Sequence, residues 1–398
     1  MIPVILALNA GSSSLKFVVY AADRDRRLAQ GLVDRIGAEG SITLTDADGT
    51  DLPVADGVPQ DHAQALQLAL DSLRAAFPDF RAVAVGHRVV HGGIAFTAPV
   101  RVDDTVLAQL ESLSPFAPLH QPHNIAGIRA AIAAFPGVPQ IACFDTAFHR
   151  THPWVNDTFA LPRSLYDEGV RRYGFHGLSY DYVSSELKRC APTVAAGRVV
   201  VAHLGNGASM CAIQDGRSVA STMGFTALDG LPMGTRCGQL DPGVVLYLME
   251  QKGLSPDAVQ DILYRQSGLL GLSGGLSNDM RTLEASRAPE PQQAIDYFVF
   301  RIQRELGAMA AAMGGIDALV FCGGIGENSR QVRARVCERT EWMGIEIDHG
   351  RNSRNETLVS SEMSRVHVMV IPTDEGMVIA RAARGMLATE QARQPARP

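Results

Sequence analysis

The sequence has little lysine, no closely spaced pair of cysteines and no long apolar run. Only three of its 36 basic residues are lysines, namely Lys16, Lys188 and Lys252. The six cysteines show no C-x-x-C spacing, which argues against a disulfide framework or a zinc ribbon and is typical of a reduced, cytoplasmic chain. No apolar run approaches the roughly 18 residues of a membrane span. The apolar segment 1–8 is short and lacks a basic leader, so it predicts a buried strand and not a signal peptide.

An excess of positive charge is also absent. The 36 basic and 42 acidic residues give a net charge of −6. We therefore expect neither a nucleic-acid-binding surface nor a polybasic membrane patch. Hydrophobic residues make up 46% of the chain and charged residues 20%, which excludes wholesale disorder. At about 150 residues per domain, the 398 residues predict two or three domains.

Strand-like and helix-like patterns alternate along the chain, which predicts an α/β fold. We expect strands at 4–8, 16–20, 82–90, 140–144, 198–204, 208–213, 318–322 and 367–371, and helices at 62–77, 125–135, 292–313 and from about 374. The hairpins at 4–20 and 198–213 share the order apolar strand, Asn/Gly/Ser turn, apolar strand. This is a weak sign of internal duplication, since unrelated hairpins also look alike. The tail 391–398 is rich in Pro, Arg and Gln, and we expect it to be frayed.

Three glycine-rich turns follow apolar strands, at 9–16, 203–207 and 323–328. In the first turn Gly11 permits unusual backbone angles, the serines supply donors, and Lys16 adds a positive charge. The Gly-Lys-Ser/Thr of a Walker A loop is missing. The third turn leads into a helix start, where backbone N–H groups favour anions. Each turn alone is compatible with an ordinary polar loop, but three of them indicate a nucleotide bound between two domains.

The segment 87–91 contains two histidines and an arginine. His87 and His91 are four residues apart, which on a helix would suit a metal ion. Valines and glycines around them favour a strand, where at about 3.3 Å per residue the two would lie about 13 Å apart, too far to share one ion. Arg88 lies beside two glycines, and we interpret it as a clamp for a carboxylate or a phosphate. A surface salt bridge is the alternative.

Three more polar residues lie at positions that are typical of catalytic residues. Asp145 follows a buried strand, and α/β enzymes place catalytic groups at the carboxyl ends of strands. His176 and Arg236 lie in glycine-rich loops, where functional residues are frequent. A lone histidine or arginine is more often structural, but several in such loops favour function.

These segments resemble the acetate kinase family and, through it, the sugar-kinase/heat-shock-70/actin superfamily. The likeness covers nearly the whole chain and is carried in order by NAGSSSLK (9–16), GHRVVHGG (86–93), APLHQPHN (117–124), FDTAFH (144–149), RRYGFHG (171–177), HLGNGAS (203–209), MGTRCG (233–238), NDMR (278–281), GGIGEN (323–328) and PTDE (372–375). So many motifs in one order do not arise by chance.

The resemblance implies two similar actin-like, ribonuclease-H-like domains with a nucleotide cleft between them. We expect the first domain at 1–144 plus about 382–398, and the second at 145–381 with most of the nucleotide site. The implied activity is the reversible, Mg²⁺-dependent transfer of the γ-phosphoryl group of ATP to acetate, giving acetyl phosphate and ADP. Mn²⁺ is expected to substitute for Mg²⁺. The family also implies a cytoplasmic homodimer with no nucleic-acid or membrane partner.

The resemblance assigns roles residue by residue. Asn9 and Glu375 would bind the metal, and Arg88 would bind the acyl carboxylate. Asp145, His176 and Arg236 would be the catalytic residues. Three residues would surround the methyl group, namely Val90, Leu119 and Phe175. The ATP-binding residues would be Lys16, His203, Leu204, Gly205, Asn206, Gly207, Asp279, Met280, Arg281, Gly324, Ile325, Gly326, Glu327 and Asn328.

The chain departs from the family pattern at three positions. Tyr180 stands where a second histidine is common, and Ala227 stands where proline is common in the acyl pocket. We expect Ala227 to enlarge that pocket. Gly376 replaces a frequent glutamate, so we expect a weak start to the last helix, capped by Thr373. On this basis Gly376→Glu should be stabilising.

Acetate needs no general base, because its carboxyl group is already ionised at pH 7. We therefore expect Asp145 to organise the metal and not to remove a proton. Two alternatives stay open at this point. One is a kinase for propionate or another short-chain acid, and the other is a non-catalytic ATP-binding module of the same superfamily.

Overall fold

The computed structural model describes residues 1–37 and 39–393 of the chain. The twelve strands in these residues are β1 (Ile2–Ala10), β2 (Leu15–Ala21), β3 (Arg27–Asp34), β4 (Ser41–Asp46), β5 (Phe80–Val89), β6 (Val100–Arg101), β7 (Gln140–Phe144), β8 (Arg198–Leu204), β9 (Ala208–Gln214), β10 (Arg217–Ser221), β11 (Ala318–Cys322) and β12 (His367–Val370). Every expected strand is therefore present.

Sixteen α-helices lie in the same described residues. They are α1 (His62–Ala76), α2 (Asp104–Ser112), α3 (Gln121–Ala134), α4 (Trp154–Asp157), α5 (Arg163–Asp167), α6 (Gly177–Cys190), α7 (Pro192–Ala195), α8 (Pro242–Glu250), α9 (Pro256–Arg265), α10 (Gly268–Leu272), α11 (Met280–Ala285), α12 (Pro289–Met313), α13 (Gly323–Asn328), α14 (Arg330–Cys337), α15 (His349–Ser353) and α16 (Glu375–Arg393). Of the tail expected to be frayed, 391–393 is helical, and 394–398 lies outside the described residues. None of the described helices has both the length and the apolar character needed to cross a membrane.

The chain divides into two compact units. Unit 1 contains residues 1–148 together with the C-terminal segment that begins at Asp374, and unit 2 is His149–Thr373. The domains expected from the sequence, 1–144 with about 382–398 and 145–381, stay a prediction. The compact units change at 148 and 374, and the whole of α16 belongs to unit 1.

Each unit is built on a mixed β-sheet with the same five-strand core. In unit 1 the strand order is β4-β3-β2-β1-β5-β7-β6, and in unit 2 it is β10-β9-β8-β11-β12. In both, the first strand of the unit pairs antiparallel with the second and parallel with a later strand. A further parallel strand follows on that side, β7 in unit 1 and β12 in unit 2. The predicted α/β fold with two similar halves is confirmed.

Helix α16 lies closely against strand β5 in unit 1. A Cβ atom at Gly86 would lie 2.1 Å from Cγ2 of Ile379, so only glycine allows this approach. The hydrophobic core of the unit includes Leu6 of β1 and Leu66 and Leu70 of α1, all of which are buried. This packing sets where α16 begins, and therefore where Glu375 lies.

The start of α16 corrects one expectation. The backbone N–H of Met377 donates to Asp374 Oδ1 at 3.0 Å, so Asp374 and not Thr373 caps the helix. The Tyr20 hydroxyl donates to the same oxygen at 2.6 Å. A Cβ atom at Gly376 would lie 2.6 Å from the Tyr20 hydroxyl oxygen. A side chain at 376 would have to displace the Tyr20 hydroxyl, which opposes the expected stabilisation by Gly376→Glu.

Candidate active site

Arg88, Asp145 and Glu375 form a charged cluster in unit 1. Strands β5 and β7 run parallel with Arg88 beside Cys143, which brings Arg88 and Asp145 to the same sheet edge. The Arg88 Nη2 group donates to Asp145 Oδ2 at 2.7 Å, and its Nε donates to both carboxylate oxygens at 3.1 and 3.2 Å. Arg88 Nη1 lies 3.6 Å from Glu375 Oε2. One guanidinium thus connects two carboxylates from different elements.

The electrostatics of this cluster keep Arg88 charged. Burial lowers the pKa of Arg88, but attraction to Asp145 and Glu375 outweighs burial, so its pKa lies above the ordinary value. The Asp145 side chain is 2% exposed. A buried carboxylate needs a partner, and the bidentate pair with Arg88 supplies it.

The backbone that follows β5 is held by the first turns of α3. Asn124 Oδ1 accepts the N–H of Val90 at 2.9 Å, and Asn124 Nδ2 donates to the carbonyl of Ala10 at 2.8 Å. Gln121 Nε2 donates to the carbonyl of His91 at 3.0 Å. Val90 is buried, and Leu119, just before α3, is half-buried. The segment 117–124 therefore ties the end of β1 to the end of β5.

His87 has a structural environment. Its Nε2 lies 2.8 Å from Gln140 Oε1, and burial lowers its pKa to about 4, although the bond to Gln140 acts in the opposite direction. Among the residues that the structure describes, no three His, Cys, Asp or Glu side chains are arranged to hold a metal ion. His87 is therefore a neutral core histidine.

The turn at 9–16 joins the first two strands of unit 1. Asn9 and Lys16 are cross-strand neighbours, with Asn9 half-buried and Lys16 exposed. The Gly11 N–H donates to the Ser14 carbonyl at 2.8 Å, which closes the turn. His62 Nε2 lies 2.7 Å from the Gly11 carbonyl, which only accepts, so Nε2 carries the proton.

In unit 2 the tips of His176 and Arg236 converge over one glycine. A Cβ atom at Gly207 would lie 2.9 Å from Arg236 Nη2 and 3.1 Å from His176 Nε2. His176 precedes α6 with a left-handed φ of 56°. Phe175 is buried, and its carbonyl accepts a hydrogen bond from His149 Nε2 at 2.9 Å. Arg236 Nη2 and His176 Nε2 therefore lie together on the face of the 203–207 turn.

The loop that carries Arg236 is held by a segment that the sequence analysis did not select. Arg236 Nη1 donates to the Ala227 carbonyl at 2.5 Å. The N–H groups of Ser267 and Leu269 donate to carbonyls of the loop at 3.0 and 2.8 Å. Gly268 has φ +62°, and a Cβ atom there would lie 2.1 Å from the Met233 carbonyl. The glycine-rich run at 268–275 is the sequence signal that points to this close approach.

A pocket of about 720 Å³ lies in unit 2. Eight of the fourteen residues expected to bind ATP line it, namely Gly205, Asn206, Asp279, Met280, Arg281, Gly324, Ile325 and Asn328. They come from the β8–β9 turn, from the N-cap and first turn of α11, and from α13. The volume falls within the range of 300–1,000 Å³ typical of small-molecule sites.

The remaining expected ATP-binding residues lie elsewhere. Glu327 Oε1 accepts the N–H groups of Gly323 and Thr373 at 2.8 and 3.1 Å, so its carboxylate holds backbone. The Leu204 side chain is buried in the core. The pocket lining also lacks His203, Gly207 and Gly326, and Lys16 belongs to unit 1.

The pocket lining includes three residues that sequence reasoning missed. They are Asn278, Glu284 and Ser329. Asn278 belongs to the NDMR motif and could have been selected with it. Glu284 accepts a hydrogen bond of 2.5 Å from the Ser329 hydroxyl, a contact between residues 45 positions apart that carries no local sequence signal.

The two units share the order of their core strands, and glycine-rich turns line the pocket. An arginine and a histidine converge over one glycine. These are features of an α/β phosphotransferase. The sequence model of the Acetokinase family matches residues 4–381. The chain is 60% identical to an acetate kinase of Methylocella silvestris, over 96% of this chain and 98% of that one. It is 52% identical to an acetate kinase of Nitrobacter hamburgensis, over 96% of each.

Two solved structures are also similar. The crystal structure of Porphyromonas gingivalis acetate kinase has a TM-score of 0.89 and 38% identity, covering 97% of this chain and all of that one. The crystal structure of a propionate kinase from Francisella tularensis has a TM-score of 0.90 and 36% identity, covering 96% and 99%. The chain belongs to the acetokinase family, and the resemblance stated from its motifs is confirmed.

Proposed function

We propose that the protein is an acetate kinase, which reversibly transfers the γ-phosphoryl group of ATP to acetate and gives acetyl phosphate and ADP. The observation that supports this most directly is the convergence of Arg236 and His176 over Gly207. The neighbouring Gly205 and Asn206 line the 720 Å³ pocket. A nucleotide in that pocket with its phosphates at this turn would present its terminal phosphoryl group to both donors.

The attacking group in this proposal is the ionised carboxylate of acetate. A carboxylic acid with a pKa near 4.3 is deprotonated at pH 7, so no residue has to remove a proton. Asp145 already forms a bidentate pair with Arg88. This pairing suits a residue that fixes charge and orientation, and it supports the view that Asp145 is not a general base. Arg88, which stays protonated, would attract the acetate carboxylate.

The main barrier is the repulsion between acetate and a highly charged nucleotide. In a loose transition state the charge spreads over the three equatorial oxygens of the phosphoryl group. Separate donors suit that distribution, and Arg236 and His176, which converge over Gly207 in unit 2, supply two of them. Catalysis would then consist of positioning and charge neutralisation, without a covalent protein intermediate.

The residues of unit 1 fit a magnesium ion. Mg²⁺ prefers oxygen ligands and is usually bound by one or two carboxylates together with water and substrate phosphates. Asp145 and Glu375 both contact the guanidinium of Arg88, so two acidic oxygen donors lie near one another. We assign Glu375 and Asn9 as the metal-binding residues, with Asp145 orienting this group and Mn²⁺ as a substitute metal. The ion would neutralise charge on the nucleotide phosphates.

Propionate is the alternative acceptor. The propionate kinase from Francisella tularensis is similar to this chain over nearly its whole length. By resemblance the acyl group lies among Val90, Leu119, Phe175 and position 227, and Ala227 is smaller than the proline common there. Acetate is preferred here because the most similar of the reported relatives are acetate kinases.

An assay of acyl hydroxamate formation tests the activity. The protein is mixed with ATP, Mg²⁺ and hydroxylamine, and initial rates are measured with formate, acetate, propionate and butyrate. We expect the highest kcat/KM with acetate. A higher value with propionate would identify a propionate kinase. ATP binding by calorimetry without any hydroxamate product would instead identify a non-catalytic ATP-binding module.

We further propose a cytoplasmic homodimer, as the family resemblance implies. Helix α8 supports this, because it is largely apolar and none of its residues is buried. Leu246 and Tyr247 are 55% and 50% exposed. Exposed apolar faces of this kind mark protein interfaces. Light scattering should give twice the chain mass of 42.6 kDa for the wild type. Leu246→Glu should give the monomer mass if α8 forms the interface, and an unchanged dimer mass would exclude α8.

A further inference from the structure

A buried chain of hydrogen bonds leads from Tyr180 to His176. The Tyr180 hydroxyl lies 2.5 Å from Ser209 Oγ, and the same Oγ lies 2.8 Å from His176 Nδ1. Tyr180 and Ser209 are fully buried, and the exposed fraction of His176 is 9%. Tyr180 belongs to α6 and Ser209 to β9, so the chain spans two elements of unit 2. It ends on the ring nitrogen that faces away from Gly207.

The acidity of the two hydroxyl groups determines which of them donates and which accepts in this series of hydrogen bonds. A phenol is more acidic than an aliphatic alcohol, so it is the better donor and the poorer acceptor of the pair. Burial, followed by nearby Cys211, raises the pKa of Tyr180 well above its ordinary value, so the phenol stays protonated. The Tyr180 hydroxyl therefore donates to Ser209. The single proton of the Ser209 hydroxyl then points to His176 Nδ1.

We propose that Tyr180 is a positioning residue that, through Ser209, holds His176 in the tautomer protonated at Nε2. A neutral imidazole has one N–H group, and the partner of one nitrogen decides which nitrogen carries it. With Nδ1 accepting from Ser209, the proton lies on Nε2. That atom is 3.1 Å from the Cβ position of Gly207, on the side where Arg236 Nη2 also points.

This inference rests on the proposed role of His176 and makes that role specific. An Nε2–H group donates to a phosphoryl oxygen, whereas a bare Nε2 lone pair repels it. The opposite tautomer would therefore oppose the charge that develops during transfer. Tyr180 thus contributes to turnover without touching the substrate.

Nitrogen NMR of the protein labelled with ¹⁵N-histidine tests the tautomer without any assay of activity. We expect the His176 signals, assigned with the His176→Gln variant, to show a pyrrole-type Nε2 and a pyridine-type Nδ1. In Tyr180→Phe we expect a mixture of tautomers. A pyrrole-type Nδ1 in the wild type would overturn the proposal, whether or not the protein phosphorylates acetate.

Kinetics supply the second readout. Tyr180→Phe should lower kcat about 10- to 100-fold, the range seen when the partner that orients a metal-binding histidine is lost, with an unchanged KM for ATP. Tyr173→Phe is the matched control, since it also removes a buried phenol, which donates to the Gly169 carbonyl at 2.7 Å. Ser209→Ala should lower kcat equally, and the double variant with Tyr180→Phe should be no slower than Ser209→Ala. Unchanged kcat and an unchanged tautomer in Tyr180→Phe would contradict the proposal.

Discussion

The rings of His176 and His203 stack on one another. Each ring also contacts a serine: a serine of the β8–β9 hairpin for His176, and a serine of α6 for His203. Their ring centroids are 4.3 Å apart with 21° between the planes. His176, at the start of α6, contacts Ser209 on β9, while His203 on β8 lies 2.8 Å from the hydroxyl of Ser179 on α6. Ser209 and His203 are themselves cross-strand partners. This reciprocal arrangement fixes α6 to the hairpin whose turn carries Gly207.

Arg236 is predicted to act mainly on turnover. Arg236→Ala should lower kcat by roughly 10³- to 10⁵-fold, the range found when an arginine that contacts a transferring phosphoryl group is supplied or withheld. The KM for ATP should change only modestly. Arg281→Ala is the control, because Arg281 lines the pocket and is largely exposed. It should raise the KM for ATP and leave kcat within a few-fold. If Arg236→Ala keeps most of the wild-type turnover, its assignment is wrong.

Asp145→Asn is predicted to damage catalysis by disturbing the metal site. The amide keeps one oxygen for Arg88 but removes the negative charge that helps to orient the metal-binding group. Part of the loss in kcat should therefore be recovered at higher Mg²⁺ or with Mn²⁺. The comparison is a titration of initial rate against each metal for wild type and variant. A metal-independent loss, together with the disappearance of a titration from the pH–rate profile, would show that Asp145 is a general base.

Buried neutral histidines predict a loss of stability in acid. Burial lowers the pKa of His87 from 6.5 to about 4, and that of His149 to about 4 as well. The unfolded chain then binds more protons than the folded one between pH 6.5 and pH 4, so the free energy of unfolding falls as the pH falls through this window. For His87 alone the loss from pH 7 to pH 5 is about 2 kcal/mol, at 1.36 kcal/mol per pKa unit.

The variant His87→Gln isolates this contribution. An amide nitrogen placed near Nε2 can still donate to Gln140 Oε1 but does not titrate. Urea unfolding at pH 7 and pH 5 should show a drop in the free energy of unfolding that is about 2 kcal/mol smaller in the variant. The same drop in both proteins would mean that His87 is not neutral in the folded state.

Tyr20 is predicted to decide what position 376 tolerates. Gly376→Ala should lower the free energy of unfolding by about 1–3 kcal/mol, as overpacking usually does, because the new Cβ atom meets the Tyr20 hydroxyl. In the background of Tyr20→Phe the hydroxyl is gone, and the nearest ring atom lies at 3.3 Å. The same substitution should then be neutral or slightly stabilising, since alanine favours helices. Equal effects in both backgrounds, measured by thermal unfolding, would exclude this contact as the cause.

Ala227 is predicted to widen acyl specificity. Burying one extra methylene contributes about 0.8 kcal/mol, or about fourfold in binding. Ala227→Pro should therefore lower kcat/KM for propionate relative to acetate. The Ala227 carbonyl accepts from Arg236, and proline keeps that carbonyl, so the ratio of the two substrates reports the pocket and not the loss of Arg236. An unchanged ratio would show that position 227 does not limit the acyl pocket.

The sequence predicted most accurately the bounds of short strands whose residues are buried on both faces of the sheet. The bounds of β7, β8 and β11 agree residue for residue, because each is a short apolar run bounded by turn-forming or charged residues. Strands β3 and β4 were missed, since their residues alternate between buried and exposed without a strong pattern. Helix α8 was missed because it is apolar without a periodic face.

For the candidate site too, the sequence predicted one part and not another. Motifs identified Arg88, Asp145, His176 and Arg236, because each lies in a short glycine-rich or strand-end segment. The bonds that hold them come from distant segments, as with Gly268 beneath the Arg236 loop. A glycine run such as 268–275 indicates a close approach, but no local pattern identifies the remote residue that is approached or hydrogen-bonded.

Isotope transfer shows directly whether the carboxylate of acetate attacks the γ-phosphorus of ATP. The wild-type protein is incubated with ATP, Mg²⁺ and acetate labelled with ¹⁸O in both carboxylate oxygens, and the product is observed by ³¹P NMR. We expect acetyl phosphate with one ¹⁸O bonded to phosphorus, seen as a single isotope shift. Acetyl phosphate without that shift, or no acetyl phosphate at all, would contradict it.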